Sequence, residues 1–161
     1  MGGGAFGAGA SALFTPRMPP DIYRQVRANC HSALQKIFVY VATPIEGPGK
    51  KDHGDIDVLV AGERRTIFPS GSGSTEPRPP HQLFVLVKDA LKVDRLQVVG
   101  LEGNFAIPWP AQDQGPSAVS AGNEHDKSRH IQVDVRICND IDDLNWVRRK
   151  MIPHVFPPLP G

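Results

Sequence analysis

Two cysteines in 161 residues, Cys30 and Cys138, exclude a disulfide framework and leave no zinc-ligand spacing. Each stands where an apolar residue would serve, so both are expected as packed core thiols. An excess of charge of either sign is also missing. Eighteen Lys and Arg against 17 Asp and Glu leave a net charge of +1, which gives no global field for nucleic acid or an anionic membrane. No apolar run approaches the ~20 residues of a membrane-spanning helix. Met1 to Ala10 lack the basic start and apolar segment of a secretory signal. Gly2 is followed by Phe6 where a myristoylation pattern wants Ser or Thr, and Arg17 alone is too little arginine for a transit peptide. A cytosolic or nuclear protein is the expectation.

Glycine and proline, by contrast, are plentiful at 16 each, and they cluster. The clusters predict a disordered Gly/Ala-rich tail over 1–18, disordered inserts near 63–79 and 111–129, and a Pro-rich tail over 151–161. What remains between 19 and 150 is one domain's worth of chain.

Within it, Ile22, Val26, Cys30, Ala33, Leu34 and Ile37 recur at helical spacing after Pro19-Pro20-Asp21, with Asp21 as the N-cap. Arg24, Arg27 and Lys36 fall off that stripe, as a solvated face would. Leu83, Leu86, Val87, Ala90 and Leu91 make a second stripe behind Pro79-Pro80. Phe38 to Val41, Leu96 to Val99 and Phe105 to Ile107 read as strands, with a turn over Gly100–Gly103. Asn139-Asp140 caps a final helix that carries Ile141, Leu144 and Trp146 or Val147. The fold class is α/β (α+β): a small mixed sheet backed by two or three helices.

Two further strands carry the chemistry. In Gly54-Asp-Ile-Asp-Val-Leu-Val60 the apolar Ile56, Val58 and Val60 alternate with a set that includes Asp55 and Asp57. The two carboxylates leave one face of the strand about 6–7 Å apart. Aspartate forms strands poorly, and like charges on one face raise each other's pKa unless a cation intervenes. Gly54 lets the backbone bend sharply just before them. In Ile131-Gln-Val-Asp-Val-Arg-Ile137, Asp134 shares a face with Gln132 and Arg136. If the two strands are neighbours, three carboxylates converge as hard oxygen ligands for Mg²⁺ or Mn²⁺. Gly47, Gly49, Lys50 and Lys51 make either an improvised phosphate cradle or an ordinary turn with solvated lysines. Trp109, flanked by prolines, is a packing lid or a base-stacking ring, with the lid favoured.

A Gly-Asp-x-Asp strand followed by a strand with a central Asp resembles the nucleotidyltransferase superfamily of the DNA polymerase beta type. His53 to Val60, Phe105 to Trp109 and His130 to Cys138 look, more narrowly, like a group of fungal proteins with that fold. The resemblance spans about Phe38 to Cys138. It implies a two-metal Mg²⁺ or Mn²⁺ site on Asp55, Asp57 and Asp134, with a nucleoside triphosphate as partner and an unspecified hydroxyl acceptor. Gly54, Lys50, Lys51 and Arg136 would attend the nucleotide, Arg136 either neutralising phosphate or pairing with an aspartate. The usual Gly-Ser after the first strand is absent, and the resembled proteins continue into helical sequence where this chain turns Pro-rich. A non-catalytic member that binds metal, nucleotide or a protein partner is therefore the alternative, with the chain end read as truncated or alternative.

Overall fold

A computed structural model describes residues 4–111 and 128–151. Nine elements follow in order: α1 (Pro20–Leu34), β1 (Phe38–Ala42), β2 (Asp55–Glu63), α2 (Arg64–Ile67), α3 (Pro80–Leu91), β3 (Leu96–Val99), β4 (Glu102–Pro108), β5 (His130–Ile137) and α4 (Ile141–Lys150). The strands form one mixed sheet in the order β1-β2-β5-β4-β3. Only β2 and β5 run parallel among these neighbours; the other three pairings are antiparallel.

The stripes foreseen on α1 and α3 do what their spacing requires. Ile22, Val26, Cys30 and Leu34 of α1 and Leu83, Phe84 and Val87 of α3 close over Ile56, Val58, Val60, Phe105, Val133 and Val135. Both helices begin at a proline in the first turn, where the missing N–H costs nothing. Pro19, not Asp21, is thus the N-cap of α1, and Asp21 sits in the first turn. The helix ends at Leu34, three residues short of the expected stripe, because Ile37 reaches the core from the turn into β1. Cys30 is buried in this core and Cys138 in a second cluster, and burial pushes their thiols up to about 12 and about 11.

That second cluster lies on the opposite face, where Leu144 and Val147 of α4 pack on Leu59, Ala61 and Cys138. Asp140 caps α4 by accepting from the Asp143 backbone N–H. Among the described residues no helix is long and apolar enough to cross a membrane.

Two low-complexity stretches are better organised than composition suggests. Residues 4–18 are irregular, as expected, yet they are not a free tail: Phe6, Thr15 and Met18 are buried. Met18 exchanges both backbone hydrogen bonds with His53, and His130 donates to the Phe14 carbonyl. Three well-spaced buried side chains anchor a segment that composition alone marks as disordered. In the second stretch, Glu63 ends β2, α2 follows as a single turn, and the rest is gathered by two arginines on the buried Glu63 carboxylate. The Glu63 carboxylate takes Arg65 and Arg78, and Arg65 also donates to the carbonyls of Ser74 and Glu76. Of the third insert, residues 112–127 lie outside the described residues, as do 1–3 and the Pro-rich end from 152.

Gly103 marks a close approach of α3 to the sheet. A Cβ there would stand 2.7 Å from two Phe84 ring atoms and 3.0 Å from Phe105. Both rings are buried, at 1% and 0% exposure. Gly103→Ala should cost about 1–3 kcal/mol through overpacking, while Gly73→Ala, with nothing within 4 Å, stays within about 0.5 kcal/mol. Urea denaturation of the two variants measures the difference, and equal midpoints would show that α3 yields freely over β4.

Candidate functional site

On β2 the buried Ile56, Val58 and Val60 face α1 and α3, so period-two geometry turns Asp55, Asp57, Leu59 and Ala61 to the other side. The parallel register sets Asp57 beside Asp134 and Asp55 beside Gln132. On the far side of β5, antiparallel β4 sets Asn104 beside Asp134 and Glu102 beside Arg136. The middle of this face is therefore polar and its ends are covered. At one end α4 sits on Leu59 and Ala61. At the other, Gln132 is only 3% exposed and its side-chain oxygen accepts from the Ala5 backbone N–H. Asp55, Asp57 and Asp134 are half-buried in the gap between.

The three aspartates foreseen from the sequence are thus on one face of adjacent strands. Partial burial, followed by the Asp55 charge, raises Asp57 to about 6. Burial likewise raises Asp134 to about 7; the Gln132 hydrogen bonds pull it down, while Asp55, Asp57 and Glu102 push it further up. The Gln132 amide donates to both Asp134 oxygens at 2.9 and 3.0 Å. In this arrangement no three His, Cys, Asp or Glu side chains among the described residues form a metal-ligand group. The donor chemistry nevertheless suits a hard divalent cation: carboxylate oxygens on one face, with a repulsion that Lys50 only partly offsets at Asp57.

Two small clefts flank Asp57. One, of about 80 Å³, is lined by Tyr23, Glu46, Lys50, Asp55, Asp57 and Met151, among others. The second, of about 70 Å³, holds Asp57, Glu102, Asp134, Arg136 and Met151. Lys50 shares the first cleft with Asp55 and Asp57 and its charge lowers the Asp57 pKa, while Gly47 lies on the same wall. Lys51 is exposed and lines neither cleft, and Gly49 adopts a left-handed φ of 79° with nothing near it. Gly54 lies in the bend that enters β2. Arg136 pairs with Glu102 at 3.0 Å, not with an aspartate, because the register places Glu102 directly across from it. Trp109 is buried at 8% exposure with Arg129 over its ring, as a packing lid would be.

Two acidic residues beside the site escaped the sequence reading. Glu46 accepts from the Tyr23 hydroxyl and lies 3.7 Å from the ring nitrogen of His53, whose ring stacks on Tyr23. It sits in an aperiodic Pro/Gly loop, which carries no signal for direction. Glu102 falls inside the expected Gly100–Gly103 turn, but β4 begins there. The alternation of Glu102 and Asn104 with Gly103 and Phe105 is the signal that puts it on the polar face.

The shifts of Asp57 and Asp134 have a definite sign in pH. Their folded-state pKa values lie above the unfolded ones, so the native protein holds more protons between about pH 4 and about 7. The associated stability is present at the acid end and lost as pH rises through that window. In chelator, Asp57→Asn should match the unmodified protein near pH 4 and exceed it by on the order of 1–2 kcal/mol at pH 8. Denaturation at the two pH values measures this, and a gain that ignored pH would mean the carboxylate does not repel its neighbours. Against known proteins, the chain matches no family model and no curated protein.

Proposed function

We propose that the chain is a metal-dependent nucleotidyltransferase, which moves a nucleoside monophosphate from a nucleoside triphosphate to a hydroxyl acceptor. The observation that carries the reading is the pairing of Asp57 with Asp134 across parallel strands, with Asp55 on the same face. Carboxylates in that position repel, and a fold that keeps them gains most when a cation joins them. Asp55, Asp57 and Asp134 would hold Mg²⁺ or Mn²⁺. Bound there, two such ions would supply the positive charge that steadies the attacking and leaving oxygens of an in-line displacement.

The chain's own residues have separable tasks. Lys50, on the cleft shared with Asp55 and Asp57, would meet the phosphates as a point charge. The acceptor oxygen attacks the α-phosphorus; the new P–O bond forms as the bond to pyrophosphate breaks, and pyrophosphate leaves with the electron pair. The acceptor's proton passes to the Asp134 carboxylate, the acceptor-side acid of the three.

One observation favours a second reading. Both Asp134 oxygens are engaged by Gln132, which is compatible with a domain that binds metal or nucleotide without turnover. Calorimetric titration of Mn²⁺, with and without each nucleoside triphosphate, separates these cases from no site at all. Asp57→Asn should weaken metal and nucleotide together by about ten-fold or more. Asp134→Asn should leave nucleotide binding within a few-fold while removing transfer, as expected of an acceptor-side residue. Nucleotide binding without transfer in the unmodified protein selects the second reading, and absence of metal binding eliminates both.

A further inference from the structure

The clefts at the aspartates have room for ions and a few waters, not for a nucleotide-sized molecule. The space lies next door. An open groove of about 710 Å³ runs between α1, the end of β1 and α4, and its wall shares Thr43, Pro44 and Glu46 with the Lys50–Asp57 cleft. Two guanidinium groups from different elements, Arg27 and Arg148, line it. His31 and Thr43 bond across its floor at 2.7 Å.

Both arginines are oriented without being used up. Arg148 donates its Nε–H to the Thr43 carbonyl at 3.3 Å, which leaves its terminal amino groups directed elsewhere. Arg27 lies over the Tyr23 ring at 5.3 Å, and its only ion pair among the described residues is a 4.0 Å approach to Glu46. Glu46 is the single carboxylate in the groove wall, and the Tyr23 hydroxyl and His53 already engage it. Sequence reading placed Arg27 on a solvated face. With 35% of its side chain exposed it is solvated there, and it lines the groove that shares a wall with the aspartate cleft.

We propose that this groove is a phosphate-binding subsite, in which Arg27 and Arg148 grip a phosphate of a molecule that extends past Thr43 and Glu46 to Asp57. Planar guanidinium forks suit phosphate oxygens, and positions on two elements let them close on one group from two sides. The subsite rests on the nucleotidyl-transfer reading for its purpose but not for its binding chemistry. Its phosphate has two sources: the triphosphate donor, or a phosphate carried by the acceptor.

The test uses the full chain without divalent cation, with inorganic phosphate as the probe followed by nuclear magnetic resonance or calorimetry. Arg27→Gln and Arg148→Gln should each weaken phosphate roughly five- to ten-fold, and Glu46→Gln should tighten it, an effect that unfolding cannot imitate. Phosphate affinity unchanged in all three variants overturns the proposal. Metal-free ATP then tells the sources apart. An equal loss of ATP affinity in the arginine variants assigns the subsite to the donor, and ATP affinity unchanged while phosphate weakens assigns it to the acceptor. Because no cation is present, failure of metal binding at Asp57 would leave this result standing, and failure here would leave the metal site standing.

Discussion

Everything that sets this chain apart depends on the parallel alignment of β2 with β5. That register puts Asp57 beside Asp134, and it does so in the middle of a sheet where strands must otherwise bury apolar side chains. The arrangement is costly. Half-burial removes water from the carboxylates, the Asp55 charge raises the proton affinity of Asp57, and Asp55 and Asp57 together raise that of Asp134. A hydrophobic core on one face, built from α1, α3 and the alternating valines and isoleucines, holds the strands together despite that repulsion.

The opposite face is divided by its covers. Leu59 and Ala61 lie on the same side of β2 as the aspartates, but α4 shelters them. Gln132 and Ala106 are buried at the other end, where Ala5 meets the Gln132 side chain. The site is the strip left open between a helix and an irregular segment. Met151, at the end of α4, lines both clefts beside Asp57, so the helix that closes the apolar end also frames the polar one.

How legible this was follows from periodicity. The paired aspartates, Asp134 and the two core helices announce themselves through alternation at two or at three to four residues, because burial on one face imposes that period. The N-terminal segment has no period, and Gly and Ala dominate it, so nothing local marks Phe6 and Met18 as buried anchors. Glu63 was equally silent: a buried acid at a strand end becomes readable only once Arg65 and Arg78 are known to fold back on it. Arg136 pairs with Glu102 through register, a long-range property that one strand's sequence does not contain. Arg27 looked like surface because helical periodicity reports distance from the core and says nothing of a groove between elements.

The parallel pairing of β2 and β5 also bears on how the domain comes together. β3 and β4 are chain neighbours and pair across a short turn, whereas β5 reaches β2 only after α2, α3, β3, β4 and the long stretch that follows them. Closing so large a loop is slow relative to local pairing. A chain with its helices and its hairpin formed has not yet set Asp57 beside Asp134, which requires β2 and β5 to pair. A cation that needed both Asp57 and Asp134 would bind only where these two strands are paired, and it would then slow unfolding more than it changed the rate of folding.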